Sequence, residues 1–575
     1  MTILRGISGC VGYSSGVAAV NRRTAPKPEK HTITDPASEE SRFRTAQAAC
    51  KKHLNSLLDD TAENDEAKEI IVAYLEILND EAFFKKVLKR LDTDLVNIEY
   101  LIYDECQAVM KKFTAIDDPY LKDRAADIEN VCNDLIHSLL GQESDFKPKA
   151  KTGEDIIVVA EDLTPAETMK LDKNILRGFV TEKGGATSHT VILAKSLGIP
   201  AIVGVKGALD AVSDGNMLLL DATNGIVTIE PDSDSLSAFN NIRQTYEEKI
   251  KKYAESVAMD AVTKDGHQVF VNVNKGDTES IKSFDSNACD GVGLLRTEFL
   301  YMDSDDYPDE EAQFTAYREL AVKANGKEVI IRTLDIGGDK QLGYMDLPKE
   351  DNPFLGYRAI RLCLDRRDVF HTQLRAILRA SAFGNVKIMF PMIVNSEELI
   401  EAKRCVEKAK QSLRQDNIEF NEDIPVGIMI ETPAAVLVSE QLAKESDFFS
   451  IGSNDLIQYV TASDRMNERV QNIYDSCNPS VLRAICIVAH NAKDASIPWG
   501  ICGEVASEDR LIPLWTALGV SELSVSPSMV GKVKSIVRLV DRAQLIPEME
   551  RIMDIPLISD IKKELDDILA KLEEE

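Results

Sequence analysis

The chain has 575 residues, so several domains are expected, and its 44% hydrophobic and 28% charged composition is that of a folded, water-soluble protein rather than a disordered one. A formal charge of -29 argues against a nucleic-acid backbone as partner and favours basic proteins. Apolar runs are short, Ile428–Ile430 and Met217–Leu220 for example, far below the ~20 residues of a membrane helix. The first nine residues lack the basic-then-apolar layout of a signal peptide, and the ten cysteines include no C-x-x-C pair. A cytoplasmic protein without a disulfide framework or zinc site is expected.

The apolar segment Gly6–Val20 opens the chain. From about Asp35 to Gly141 glycine almost disappears, and apolar residues recur at helical spacing: Leu54, Leu57 and Leu58, then Ile70, Ile71, Tyr74 and Leu75, then Leu135, Ile136 and Leu139. Some four helices in a bundle are expected. Residues 35–146 hold 25 Asp and Glu against 13 Lys and Arg, which makes this bundle acidic and a candidate docking face for a basic partner.

Short apolar runs between turns follow: Ile156–Ala160, Gly178–Thr181, Ala201–Gly204, Met217–Asp221 and Ile226–Ile229. They predict a sheet that the N-terminal segment can join, so that the bundle is an insertion. Within this stretch Gly184-Gly185-Ala186-Thr187-Ser188-His189-Thr190 places His189 in the first turn of a helix over 188–197. Thr187 or Ser188 is the expected N-cap. The positive helix end would keep the imidazole neutral and nucleophilic and would later stabilise a phosphoryl group on it. A charged helix around Tyr246, Ile250 and Tyr253 then connects to the last region.

That region alternates strand and helix patterns. Eight strands are predicted, at Gln268–Val273, Gly291–Leu295, Glu328–Leu334, Val386–Met392, Pro425–Ile430, Phe448–Gly452, Pro498–Cys502 and Glu522–Val525. Eight such repeats in roughly 300 residues point to a (β/α)8 barrel, whose active site lies at the C-terminal strand ends. Those ends carry Arg296 and Glu298, Arg332 and Asp335, Gly337-Gly338-Asp339-Lys340, Glu431, Asn454 and Asp455, and Cys502, with Arg358 and Arg465 in adjoining loops. Arginines with a lysine suit a compact anion bearing phosphate and carboxylate. Glu431 and Asp455 are oxygen ligands suited to Mg²⁺, and the Cys502 thiol can donate a proton.

Seven motifs, GGATSHT at 184–190, GLLRTEFL at 293–300, RTLDIGGDK at 332–340, NPFLGYRAIR at 352–361, IMIETPAA at 428–435, FFSIGSNDL at 448–456 and GICGE at 500–504, give the chain a resemblance to a known family over nearly its whole length. It resembles enzyme I of the bacterial sugar phosphotransferase system, the phosphoenolpyruvate–protein phosphotransferases. The resemblance implies a multidomain α/β protein. A helical HPr-binding domain (25–146) would be inserted in a swivelling α/β phosphohistidine domain (1–24 and 147–232). A linker helix (233–260) and a (β/α)8 TIM barrel (261–575) would follow, the barrel binding phosphoenolpyruvate and forming a homodimer. His189 would accept the phosphoryl group, oriented by Thr168. Glu431 and Asp455 would hold Mg²⁺. Arg296, Arg332, Asn454, Asp455 and Arg465 would surround the substrate, with Lys340 and Arg358 at its phosphate, and Cys502 would protonate enolpyruvate. The phosphocarrier protein HPr would take the group onward. Related dikinase and synthase families share the histidine loop and barrel but need an additional ATP-binding domain of several hundred residues. The segment at 9–16 and Ile457 depart from the family's usual pattern.

Overall fold

In the computed structural model, which describes all residues except 23–25, 61–65, 115–118, 142–153, 164–170, 173, 186–187, 339–341, 468 and 575, the apolar N-terminus forms three short strands. These are β1 (Thr2–Arg5), β2 (Ile7–Cys10) and β3 (Tyr13–Asn21). The chain then leaves the sheet for the expected helical insertion, with helices at Pro36–Asp60, Glu66–Leu78, Glu81–Asp94, Ile98–Thr114 and Pro119–Leu139. The turn between the second and third of these lies at Asp80, whose carboxylate caps the helix from Glu81 by accepting from the N–H groups of Ala82 and Phe83.

After the helices the chain returns to the same sheet with β4 (Ile156–Ala160), β5 (Leu176–Thr181), β6 (Ala201–Val203), β7 (Met217–Asp221) and β8 (Ile226–Ile229). The strand order is β1-β8-β7-β3-β4-β5-β6-β2. β3, β4, β5 and β6 run parallel, while β7, β8, β1 and β2 pair antiparallel with their neighbours. β4 is apolar at every position because both faces of the sheet are covered. Ile157 and Val159 enter one buried cluster, and Ile156, Val158 and Ala160 enter the other.

The helices have cores of their own. Phe43, Phe84, Val87, Leu91, Ile98 and Leu135 fill one. Leu54, Ile71, Tyr74 and Leu78 form a second, on which Ile192 of the helix His189–Leu197 packs. That contact seats the histidine-bearing helix against the inserted helices. Of the acidic groups buried in the bundle, Glu99 is paired with Arg42 at 2.5 Å and Glu105 with Lys86.

Residues Met1–Glu248 make one compact unit and Lys249–Glu575 a second, the helix Ser233–Ser256 running across the division. The second unit is a closed barrel of eight parallel strands: β9 (Phe270–Lys275), β10 (Gly291–Arg296), β11 (Glu328–Arg332), β12 (Asn385–Phe390), β13 (Val426–Ile430), β14 (Phe449–Ile451), β15 (Trp499–Ile501) and β16 (Glu522–Val525). β16 closes on β9, with Leu523 beside Val271. All eight predicted strands are present with small shifts at their ends. β12 stops two residues early because Met392 turns to φ 59° and its N–H donates to Glu431 Oε1 at 2.6 Å instead of a strand neighbour. Leu294, Ile330, Met389, Met429, Phe448 and Cys502 form one buried cluster, each from a different one of six barrel strands or its immediate flank. Among the described residues no helix is long and apolar enough to cross a membrane.

Candidate active site

At the C-terminal ends of the strands a cavity of about 570 Å³ opens. Arg296, Arg332, Arg358, Glu431, Asn454, Asp455, Arg465 and Cys502 all line it. Eight sequence-predicted residues from distant parts of the chain are thereby brought to one place. Lys340 and Thr168 lie outside the described residues. His189 opens its helix in the first unit, and its side chain also lies outside them.

Two buried arginines form the framework of the mouth. Arg332, on the last residue of β11, is 7% exposed and contacts Glu298 Oε1 at 2.6 Å and Asp335 Oδ2 at 3.0 Å. Arg358 meets the other oxygen of Asp335 at 2.8 Å and Asp455 Oδ2 at 3.0 Å. Asp335 therefore bridges the two guanidinium groups, and Arg465 reaches Asp455 Oδ1 at 3.2 Å. Burial alone works against charge on Arg332 and Arg358, but the surrounding carboxylates more than offset it, so both are held as cations. Arg332 Nε is buried without a hydrogen-bond partner among the described residues, which leaves a donor for a ligand.

The carboxylates show the opposite strain. Burial pushes the Glu431 carboxyl above its ordinary range, and the negative charges of Asp455 and Asp335 push it further. Glu431, buried beside the Asp455 carboxylate, forms with it an oxygen site that a divalent cation would relieve, so Glu431 and Asp455 fit the chemistry of a Mg²⁺ site. Burial also pushes the Cys502 thiol up to about 11, with Ser450 and Arg332 pulling it partly back. It stays protonated at neutral pH and donates weakly to the Ile451 carbonyl at 3.6 Å. If this thiol is the proton donor, the alkaline limb of kcat/KM should show no loss from it below about pH 10. An ordinary thiol, at 9.0, would already be losing its proton there. A Cys502-dependent fall centred near pH 9 in a rate profile would contradict the assignment.

Several supporting residues carried no signal in the motifs. Tyr459 sits one helical turn beyond Asp455 on the helix Ser453–Thr461, so the two share a face. Its hydroxyl accepts from Arg358 at 3.2 Å and donates to the Phe354 carbonyl. Tyr474 donates to the Asn454 carbonyl at 3.1 Å, and Gln458 accepts the Arg465 N–H at 3.1 Å. The i, i+4 spacing from Asp455 was the one available clue, and it pointed to Tyr459 alone.

Backbone geometry adds to the framework. Gly337 has φ 115°, and a Cβ there would stand 2.5 Å from Arg358 Cβ and 2.8 Å from the Tyr357 carbonyl. Ala359, fully buried next to Arg358, is itself held at φ 54°. Gly337→Ala should therefore cost about 1–3 kcal/mol in denaturant unfolding. It should also weaken substrate binding by displacing Arg358, and a variant with parental stability and KM would rule out this constraint.

A closed parallel barrel with arginines and carboxylates gathered at its mouth is the setting of this chain's class, the phosphoenolpyruvate-utilising enzymes, which the family models identify. The family model for the PEP-utilising enzyme, PEP-binding domain, matches residues 250–542; the mobile-domain model matches 152–225 and the N-terminal model 5–124. The phosphoenolpyruvate-protein phosphotransferase of Bacillus subtilis (strain 168) is 39% identical over 557 residues, covering 96% of this chain and 97% of that one. That of Priestia megaterium is 38% identical over 551 residues (95% and 96%), and that of Mycoplasma capricolum 36% over 575 residues (99% and 99%). This chain belongs to the phosphoenolpyruvate-protein phosphotransferase family.

Proposed function

We infer that the chain takes the phosphoryl group of phosphoenolpyruvate onto His189, releases pyruvate, and passes the group to a histidine of the phosphocarrier protein HPr. This is the first step of the sugar phosphotransferase system. The observation that carries the reading is the convergence of Arg296, Arg332, Arg358 and Arg465 with Glu431, Asp455 and a protonated Cys502 in one cavity. Arginine forks suit both anionic groups of phosphoenolpyruvate, and the spare Arg332 Nε gives a donor not consumed by the framework.

In the reaction an imidazole nitrogen of His189 attacks phosphorus while the bridging P–O bond breaks, and the electron pair leaves with the enolate oxygen. The arginines neutralise the phosphoryl oxygens as charge shifts among them. Held by Glu431 and Asp455, Mg²⁺ would supply further charge neutralisation at the substrate's oxygens. Cys502 then gives its proton to the methylene carbon, completing pyruvate, and regains one from solvent. Thr168 is read as orienting His189, and Lys340 as a further cation at the phosphate. His189 and the barrel mouth belong to different compact units, so the cycle requires them to meet.

The inserted helices are read as the HPr-docking domain, since their surplus of acidic residues complements a basic partner. The barrel domain is read as the dimerisation unit and the cytoplasm as the compartment. The test uses purified full-length protein with Mg²⁺ and phosphoenolpyruvate. A single burst of pyruvate, about one per chain, should appear without HPr, and continuous turnover should begin when HPr is added. Continuous pyruvate release without HPr, or a burst that survives in His189→Ala, would overturn the reading.

A further inference from the structure

The opposite mouth of the barrel, at the N-terminal ends of the strands, holds a second cavity of about 560 Å³. This end of a barrel ordinarily serves stability rather than chemistry. Here its inner layer is kept open by glycine. A Cβ on Gly293 would stand 1.7 Å from Glu522 Oε1, and one on Gly500 would stand 3.0 Å from Glu522 Cβ. The absent side chains make room for the Glu522 carboxylate inside the barrel.

Two polar atoms lining this cavity have no hydrogen-bond partner among the described residues. They are Glu522 Oε1 and Asn272 Oδ1, the latter on a residue only 1% exposed. Both oxygens can accept a hydrogen bond, so a ligand carrying N–H donors could satisfy them. The neighbouring charges are already engaged. Glu328 pairs with Lys387, and Asp290 with Lys534 at 2.7 Å. Lys327 donates to the carbonyls of Ser286 and Cys289. Four carboxylates line the cavity, from Asp260, Asp290, Glu328 and Glu522, against the two ammonium groups of Lys327 and Lys387. Lys387 Nζ also lies 5.3 Å from the centre of the Phe448 ring, a native example of an ammonium accepted between a carboxylate and an aromatic face.

We propose that this cavity binds a small organic ammonium ion, its N–H groups received by Glu522 Oε1 and Asn272 Oδ1 and its alkyl part lying along Phe270 and Trp499. Burial and the nearby charge of Glu328 push the Glu522 carboxyl above its ordinary range, while a hydrogen bond from the Asn272 side chain and the charge of Lys387 pull it only partly back. The inference is independent of the chemistry read at the other mouth.

Trp499 lines the cavity and is one of only two tryptophans, which supplies a readout. Propylammonium chloride and sodium propionate would be titrated into the full-length protein at matched ionic strength while tryptophan emission is followed. Propylammonium should give a saturable change with Kd about millimolar, as its few heavy atoms allow. Propionate should give none, and saturating phosphoenolpyruvate with Mg²⁺ should not displace the ammonium. Glu522→Gln should weaken binding at least about tenfold through loss of the charge-assisted acceptor. Asn272→Ala, a second variant in case the first fails to fold, should weaken it several-fold. An equal response to propionate would overturn the proposal, as would no saturable response, displacement by phosphoenolpyruvate, or parental affinity in a folded variant.

Discussion

Replacing Arg358 with alanine should give the largest combined loss of stability and activity of any single change in the barrel. The guanidinium is 6% exposed and joins Asp335, at 2.8 Å, to Asp455, at 3.0 Å. Removing it leaves two carboxylates beside a third, Glu431, whose carboxyl is already pushed up by their charge. Breaking a buried pair costs about 3–5 kcal/mol when the partner charge is left uncompensated, and the lower end applies here because Arg332 still meets Asp335 and Arg465 still meets Asp455. On the chemical side, a lost preorganised cation at a phosphoryl group should lower kcat by about 10²–10³. Arg358→Lys should recover part of the stability but little of the rate, since an ammonium cannot span Asp335, Asp455 and the Tyr459 hydroxyl together. Denaturant unfolding and single-turnover kinetics on both variants check this, and parental values in either would contradict the bridging role.

Glu431→Gln separates metal affinity from folding. In the parent, Mg²⁺ binding should raise the unfolding free energy by about 2.7 kcal/mol at a hundred times its Kd. The glutamine variant should lose that increment and nearly all activity. Its metal-free stability should hold or rise, because burial and the charges of Asp455 and Asp335 make the charged form of Glu431 unfavourable in the fold. The sign with pH follows. A carboxyl whose pKa is raised in the fold binds its proton more tightly there than in the unfolded chain. Metal-free stability contributed by this group is therefore present below the ordinary carboxylate range and is lost as pH rises towards the raised folded value. The parent should show that decline and the variant a smaller one. Identical pH curves, or an undiminished Mg²⁺ increment in the variant, would contradict the placement of the metal on Glu431.

The barrel was legible because its strands are short apolar runs separated by turns, and because parallel strands covered on both faces need no alternation. The site was legible for a related reason: charged residues directly after apolar runs, as at Arg332 and Glu431, are hard to place in a core. Contacts that depend on loops folding back were not legible. Asp335 stands three residues from Arg332, yet nothing in the spacing says that its second oxygen meets Arg358. Likewise, the early end of β12 follows from a hydrogen bond between Met392 and Glu431, 39 residues apart. The cavity at the far mouth depends on which side of the pleat Gly293 and Gly500 face relative to Glu522, a matter of barrel register rather than of composition.

The central claim is that His189 carries the phosphoryl group, and locating that group tests it most directly. The full-length protein would be incubated with Mg²⁺ and phosphate-labelled phosphoenolpyruvate beside His189→Ala, and the label tested in acid and base before the modified peptide is mapped. A label that is lost in acid, survives base, maps to the peptide containing His189, is absent from the variant and passes to added HPr is the predicted result. An acid-stable label, or one retained at full level in His189→Ala, would contradict the account.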